Sequence, residues 1–297
     1  MGALIPLVFT ILWASASVAT KWGLRAAAPL TLAWTRFAVA GILLALGWRL
    51  SGRSVRLPRG LWGPLMVLGF LNTTLYLGAS FMALKVIPAG LFNLFVATNP
   101  FLVLLLSRLW LKTALVWRQW GGLSVAAAGL SVGSWQSIVH QHAPLWGIAL
   151  ILSGMSAMAV GSLYFQRLQL ALPGPLVNIW QLLFGAMFLL PATLVANGSQ
   201  PIRWTVAWWG SLTWLIGAVS IGAMLLWFRL LRTGAARASF WLLLTPPIGY
   251  VLAAIFLHEP LTVTDGIASA LVIAGLIMAQ RASKFPLTAR KRYGSES

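Results

Sequence analysis

The chain has no cysteine and only three acidic residues, Glu259, Asp265 and Glu296, against 21 Lys and Arg. Without cysteine, disulfides and thiol chemistry play no part. Only 8% of the residues are charged, 60% are hydrophobic, and the mean hydropathy is +0.88. Soluble domains carry roughly 25% charged residues, so this chain cannot coat itself in hydrated surface and its outer shell must face lipid. A second shortage is more specific. No carboxylate or imidazole falls inside a hydrophobic run, since Glu259, Asp265, His140, His142 and His258 read as loop or run-end residues and Glu296 as tail. Hydrolysis within a membrane needs a nucleophile with a base, paired carboxylates, or a metal held by His and acid ligands, and none can be assembled. The phosphate-binding G-x-x-x-x-G-K loop is also missing, so ATP is not used directly. The expectation is a protein that is not an enzyme, with no catalytic residues, no metal and no cofactor.

What is present is a series of long apolar runs bounded by charge, Pro or Gly. They lie near 3–22, 29–48, 61–83, 88–111, 117–136, 144–166, 173–196, 206–228, 233–257 and 261–280. Inside lipid every backbone polar group must be satisfied within the segment, so runs of this length are expected to be helices. With the N-terminus in the cytoplasm, alternate loops place sixteen basic residues inside (Arg49 to Arg59, Arg108, Lys112, Arg118, Arg167, Arg229, Arg232, Arg237 and the tail from Arg281). The far side holds four, Lys21, Arg25, Lys85 and Arg203, with Arg36 inside the second span. That asymmetry is a positive-inside signal and puts both termini in the cytoplasm. The basic residues thus act as topology signals, and no soluble basic module exists to bind nucleic acid.

The two halves repeat. Ala89 to Leu111 aligns with Ala236 to His258 at an offset of 147, so that Thr98-Asn99-Pro100 meets Thr245-Pro246-Pro247. The AAAGL ending at Leu130 meets the VIAGL ending at Leu276, while Arg36 meets Gln181 and Lys21 meets Gln166 at an offset of 145. Five helices per repeat is an odd number, so the second copy must be inverted. After the fourth span comes Lys112 with Arg118, and the matched loop after the ninth carries Glu259 and Asp265. The fold expected is all-α and integral to the membrane: ten transmembrane helices as two inverted five-helix repeats, residues 1–140 and 141–285, with a cytoplasmic tail over 286–297. Inverted repeats of this kind are characteristic of alternating-access transporters, whose substrate site lies at the repeat interface near mid-bilayer.

Particular residues carry a family resemblance. They are Trp13 and Lys21 in LWASASVATKWGLR, Pro29 and Arg36 in PLTLAWTRFAVAG, the pair Asn99-Pro100, and the segment His258 to Leu261. On these the chain resembles the drug/metabolite transporter superfamily in its ten-helix EamA branch, over about residues 3–280. Its 17 Trp and its length are similar to YddG-type exporters of aromatic amino acids and toxic compounds. It departs from the family pattern at Lys112-Thr113, where a Gly-Glu pair is common.

Candidate substrate-binding residues follow from helical spacing. Asn72, Tyr76 and Ser80 recur every four residues, as do Trp13, Ser17 and Lys21, and Asn178, Gln181 and Gly185 recur at three and four, so each set shares one helix face. Such groups face the bundle interior or water, either as hydrogen bonds between helices or as the lining of a shared polar cavity. Arg36 has no acid within the spans to neutralise it. It is either a structural arginine, snorkelling or bonded to carbonyls, or an electropositive element for a substrate carboxylate. Asn99 marks the first backbone break. Tyr76, Phe92, Phe95, Tyr164, Trp180 and Trp241 could form apolar walls around a substrate, whereas Trp62, Trp117, Trp120, Trp204, Trp208 and Trp209 read as interfacial belt residues. Gly69, Gly78, Gly90, Gly217, Gly222 and Gly249, with Pro100, Pro246 and Pro247, are candidate hinges. The competing role for the glycines is close packing.

These readings converge on a multi-pass inner-membrane protein that moves a small-molecule substrate, with a single chain sufficient. The function expected is export of amino acids, aromatic ones included, and of related small metabolites or toxic compounds. The alternatives are a metabolite exchanger or nucleotide-sugar-type carrier and, in another class, a membrane receptor or scaffold that does not transport. With no carboxylate in mid-membrane, facilitated transport is favoured over ion coupling, on the premise that Glu259 and Asp265 at the margin are hydrated.

Overall fold

The structure is a computed structural model that describes residues 4–111, 116–197, 201–231 and 241–281, and among them every regular element is helical. Lys112, Thr113, Arg232, Arg237, Lys284 and the 286–297 tail lie outside the described residues. The elements are α1 (Leu4–Gly23), α2 (Pro29–Leu50), α3 (Trp62–Gly69), α4 (Tyr76–Leu84), α5 (Ala89–Val96), α6 (Asn99–Leu111) and α7 (Trp117–Gln141). They continue with α8 (Leu145–Leu168), α9 (Gly174–Asn197), α10 (Val206–Thr213), α11 (Met224–Leu231), α12 (Thr245–Leu257) and α13 (Val263–Arg281).

Local sequence explains most of the ends. Pro29 opens α2, and Pro88 and Pro144 stand just before α5 and α8, where a missing N–H costs nothing. α7 and α12 both stop on a histidine in the left-handed region, His142 at φ 53 and His258 at φ 57. The next N–H reaches back each time, Ala143 to Ser137 O at 3.0 Å and Glu259 to Ala253 O at 3.3 Å. His140 therefore belongs to the last turn of α7 rather than to a loop.

Among the described residues six segments are long and apolar enough to cross a membrane: Leu4–Gly23, Pro29–Leu50, Arg59–Leu84, Leu145–Leu168, Gly174–Ala196 and Val206–Trp227. Ala89–Val103, Trp241–Leu257 and Val263–Ala279 are apolar but shorter. α7 is long enough, but Arg118, Gln119 and the WQSIVHQ end dilute its hydropathy.

Two of the long segments contain inserted π turns. Phe70–Leu75 joins α3 to α4, and Trp214–Ala223 joins α10 to α11. The starts of these insertions are 144 residues apart, close to the offset at which the halves align. α5 and α6 are separated by a break at Ala97 and Thr98, and α12 is preceded by a 3-10 turn over Trp241–Leu244.

Packing follows the same correspondence. α2 lies along α9 and α7 along α13, pairs whose sequences align at offsets of 145 and 146, and α5 lies along α12, whose aligned counterpart is α6. α4 packs on α8 as α1 packs on α10 and its π turn, and α6 packs on α8 as α1 packs on α12. The α7–α13 contact is the most intimate. A β-carbon at Gly122 would sit 2.5 Å from Gly275 O and one at Gly129 2.8 Å from Ala268 O, so only hydrogens fit between these backbones. Lipid offers no hydrophobic drive to bring helices together, and close backbone contact of this kind supplies dispersion energy instead.

Candidate functional site

Four apolar groups fill the bundle, and the sequence candidates divide among them. The largest contains Tyr76, Phe92, Phe95 and Tyr250, with Trp13 at its edge. Trp180 and Tyr164 pack instead with Leu65, Leu68, Val177 and Phe184, and Trp180 Nε1 donates to Val55 O at 3.0 Å, in the segment before α3. Trp241 belongs to neither group, and its carbonyl accepts from Thr10 Oγ1 at 3.2 Å. The six aromatic candidates therefore do not enclose one box: Tyr76, Phe92 and Phe95 are together and the other three lie elsewhere. Trp208, read as a belt residue, is 1% exposed and packs with Leu212, Leu32 and Phe37. Composition cannot tell a tryptophan at the lipid interface from one buried against protein.

Between these apolar groups lies a set of polar contacts joining the two halves. Arg36 of α2 is 5% exposed, and its Nε donates to Ser220 Oγ at 3.1 Å. Ser220 sits in the second π turn, and its carbonyl accepts from Asn178 Nδ2 of α9 at 3.3 Å. The guanidinium carbon lies 5.3 Å from the Phe37 ring centroid and 5.7 Å from that of Phe81, and Tyr76 is within electrostatic reach. Among the described residues no acid pairs with Arg36. Aromatic faces and a hydroxyl hold the cation where a carboxylate would cancel it.

A second bridge mirrors the first. Asn72, in the first π turn, donates from Nδ2 to Gln181 Oε1 of α9 at 2.8 Å. Arg36 and Gln181 are aligned positions, and each is bonded to the π turn of the opposite half. Two residues after Asn72, Thr74 Oγ1 donates to Gly185 O at 3.0 Å, one turn along α9 from Gln181, and Thr73 rests on Gly185 itself. π turns leave carbonyls without their usual helical partners and recur at functional sites.

The α1 stripe disperses. Ser17 Oγ accepts from Asn93 Nδ2 at 2.7 Å, Trp13 packs its ring on Phe9, and Lys21 Nζ pairs with Glu259 Oε1 at 3.5 Å. Ser80 is bonded only to its own helix, at Tyr76 O 2.7 Å away. Asn99 begins α6 beside Pro100, is buried, and its Nδ2 has no hydrogen-bond partner. Thr245 Oγ1, at the matched position to Thr98, has none either.

The hinge candidates separate by what surrounds them. A β-carbon at Gly69 would lie 2.9 Å from Phe184 Cβ and 3.0 Å from Gln181 O, Gly90 is covered by the Tyr250 ring, and Gly249 by Asn93. At these three the absence of a side chain is needed for packing. Gly78 has a looser neighbour, Leu189 at 3.2 Å; Gly217 has nothing within 4 Å; and Gly222 is 3.3 Å from Gly217 O in its own π turn.

Two residues of this network were not singled out by the sequence reading. Ser220 is the position matched to Tyr76 at the π-turn offset of 144, so the repeat carried its signal. Asn93 is the lone polar residue in AGLFNLFV, and it joins α1, α5 and α12. One premise also changes. Asp265 is 1% exposed, not hydrated, although Val263 and Gly266 beside it at the start of α13 are exposed.

Comparison with known proteins places this architecture. The model of the EamA-like transporter family matches residues 1–135 and 145–280. The chain is 28% identical over 283 residues to the "Uncharacterized transporter YvbV" of Bacillus subtilis (strain 168), covering 95% of this chain and 92% of that one. It is 29% identical to a "Probable terminal-alkyne amino-acid exporter" of Streptantibioticus cattleyicolor, over 93% and 92% of the two chains. "Protein PecM" of Dickeya dadantii (strain 3937) is 27% identical over 92% and 90%. A solved crystal structure shares the fold with a TM-score of 0.66, at 21% identity over 95% of this chain and 98% of that one. Two of these relatives are named for transport, one as a transporter and one as an exporter. The chain is a multi-pass membrane protein that belongs to the EamA-like transporter family of the drug/metabolite type.

Proposed function

We propose that the chain is an alternating-access exporter of amino acids, aromatic ones included, and of related small metabolites or toxic compounds. In this reading it acts as a single chain in the inner membrane, through ten spans arranged as inverted repeats over 1–140 and 141–285 with both termini cytoplasmic. The observation that carries it is the pair of mirrored bridges, Arg36 to Ser220 and Asn72 to Gln181. Each ties one half to the π turn of the other, and together they put the one buried guanidinium among the described residues beside Tyr76 and near Asn178. A positive charge with no protein anion is suited to a carboxylate ligand, and the apolar surface of Phe92, Phe95 and Tyr76 lies in the neighbouring group. The symmetric packing of α2 on α9 and of α7 on α13 supports the inverted arrangement. The amino-acid exporter among the relatives supports the substrate class, and the likeness to YddG-type exporters supports the aromatic preference.

In this mechanism the substrate carboxylate would be drawn to Arg36, exchanging with Ser220 for one donor of the guanidinium. Loss of a bridge frees one π turn to straighten while the other stays anchored, which opens one side at a time. The test is counterflow in proteoliposomes loaded with an unlabelled amino-acid panel. Labelled amino acid should accumulate only when an amino acid is trapped inside, with aromatic residues ranking high. Absence of counterflow from well-folded protein across the whole panel overturns the substrate class.

A further inference from the structure

Arg49, Arg53, Arg56 and Arg59 follow one another closely at the end of α2 and in the segment that leads to α3, and all four are exposed. The two acids among the described residues are far away. Glu259 pairs with Lys21 at the end of α1, and Asp265 follows it at the start of α13. α2 starts beside that end of the bundle and carries the chain about 33 Å, at 1.5 Å per residue, to this one. Arg167, exposed at the end of α8, belongs to the arginine-rich end as well. Tyr164, Phe165 and Leu168 of α8 pack in the same apolar group as Leu57 of the arginine segment.

A positive-inside signal needs only the charges, and a solvated basic run needs no fixed shape. This segment has one. Arg53 N donates to Trp48 O at 3.3 Å and Trp48 Nε1 donates to Ser54 O at 3.2 Å, so the chain doubles back on the last turn of α2 through Gly52 at φ 74. The Arg53 guanidinium carbon lies 4.6 Å from the Trp48 ring centroid, a cation–π contact. Arg56 N donates to Ser54 Oγ at 3.1 Å, and Val55 O accepts from Trp180 Nε1 of α9 at 3.0 Å. Trp180 packs in turn on Trp62, the first residue of α3, with ring centroids 5.7 Å apart. Three tryptophans therefore pin an acid-free arginine segment to the ends of α2, α3 and α9.

We propose that this segment is a docking surface for the headgroup of an anionic phospholipid. Guanidinium forks match phosphate oxygens in pairs, and no protein carboxylate competes for them at this end. The neighbouring surface selects a lipid over a free anion. Leu43, Leu46 and Leu50 share one face of α2 and are 47%, 52% and 88% exposed, an apolar strip for acyl chains that ends beside the arginines. Trp62, 43% exposed, stands at the same level, where amphipathic rings sit among headgroups. In the proposed topology this end faces the cytoplasmic leaflet, whose anionic lipids attract basic segments next to a span; that placement rests on the proposed function, whereas the binding itself does not. The occupied surface bears on the first bridge, since Trp180 precedes Gln181 on α9 and Trp62 opens the helix that leads to Asn72.

The test is thermal unfolding of the purified full chain in detergent micelles doped with phosphatidylglycerol or with phosphatidylcholine. A ligand that binds the folded state raises the midpoint, so phosphatidylglycerol should raise it and phosphatidylcholine should not. The gain should shrink as salt is added. The combined variant Arg53→Gln, Arg56→Gln, Arg59→Gln should need about tenfold more phosphatidylglycerol for half the gain. Trp48→Leu keeps every charge and serves if the combined variant does not fold. It removes the ring under Arg53 and the bond to Ser54 O, and should need about threefold more. The proposal is overturned if phosphatidylcholine gives an equal gain or if inorganic phosphate at matched ionic strength reproduces it. It is equally overturned if the combined variant responds like the parent, or if Trp48→Leu does, since charge without the ordered segment would then suffice. No substrate is present, so these outcomes are distinct from a failure of counterflow.

Discussion

The two π turns occupy matched places in the two halves, and only the first is also wedged by close packing. The first, Phe70–Leu75, is wedged by close packing besides its Asn72 and Thr74 hydrogen bonds: Gly69 sits against Phe184 and the Gln181 carbonyl, the Thr73 side chain on Gly185, and the Asn72 side chain on Gly161. The second, Trp214–Ala223, has open space around Gly217 and is held by side chains, Ser220 to Arg36 and Asn178, with Ser211 of the preceding α10 bonded to Ala19 O at 2.7 Å. Close steric contacts have no alternative partner, whereas hydrogen bonds to a hydroxyl can be exchanged for bonds to a ligand. The same insertion thus makes a fixed bend in one half and a releasable bend in the other.

The largest effect should come from forcing the fixed bend. Gly69→Ala puts a methyl 2.9 Å from Phe184 Cβ and 3.0 Å from a carbonyl, and overpacking of this kind costs about 1–3 kcal/mol. Thermal unfolding in detergent should show a clear drop in midpoint. An unchanged midpoint would mean that α3 is free to shift and that the contrast between the halves is wrong. Next is the cation that holds the releasable bend. Arg36→Gln keeps a donor for Ser220 but removes the charge, and a hydrogen bond to a charged group contributes about 1.5–3 kcal/mol. Affinity for carboxylate substrates in counterflow should fall tenfold or more while folding is retained. Equal affinity in a folded variant would leave Arg36 a structural residue.

The bridge between neutral groups should matter less. Asn72→Ala and Gln181→Ala each remove one neutral hydrogen bond, worth about 0.5–1.5 kcal/mol. Their double variant should cost less than the sum, because the bond can only be lost once. Full additivity in thermal unfolding would show that Asn72 and Gln181 act separately and that the mirror relation to Arg36 and Ser220 has no energetic content.

How much of this was legible in the sequence depends on whether a feature is local. Pro29, Pro88 and Pro144 and the charged loops mark helix ends directly, and the break at Thr98-Asn99 was visible from Pro100 and its matched Thr245-Pro246-Pro247. Spacing puts Asn178, Gln181 and Gly185 on one α9 face, but it does not point to their partners on two different π turns. An i→i+5 insertion depends on how a helix is packed and has no composition of its own. The burial of Asp265 and Trp208 was hidden for the same reason: an acid at a run end and a tryptophan near a loop look alike in sequence whether protein or water covers them.

The smallest stability effect is the most informative about motion. Gly217→Ala adds a methyl where nothing lies within 4 Å, so no steric cost is expected. Alanine in place of glycine in a helix favours the folded backbone by roughly 0.5–1 kcal/mol, and the unfolding midpoint should stay level or rise slightly. If the second π turn straightens during transport, the same change stiffens the segment that must move, and turnover in counterflow should fall while substrate affinity holds. The pairing with Gly69→Ala is what gives this meaning: one variant loses stability through contact, the other loses rate without it. Should Gly217→Ala leave turnover untouched, the releasable bend is not a hinge, and opening would have to come from sliding of α2 on α9 and α5 on α12 as rigid pairs.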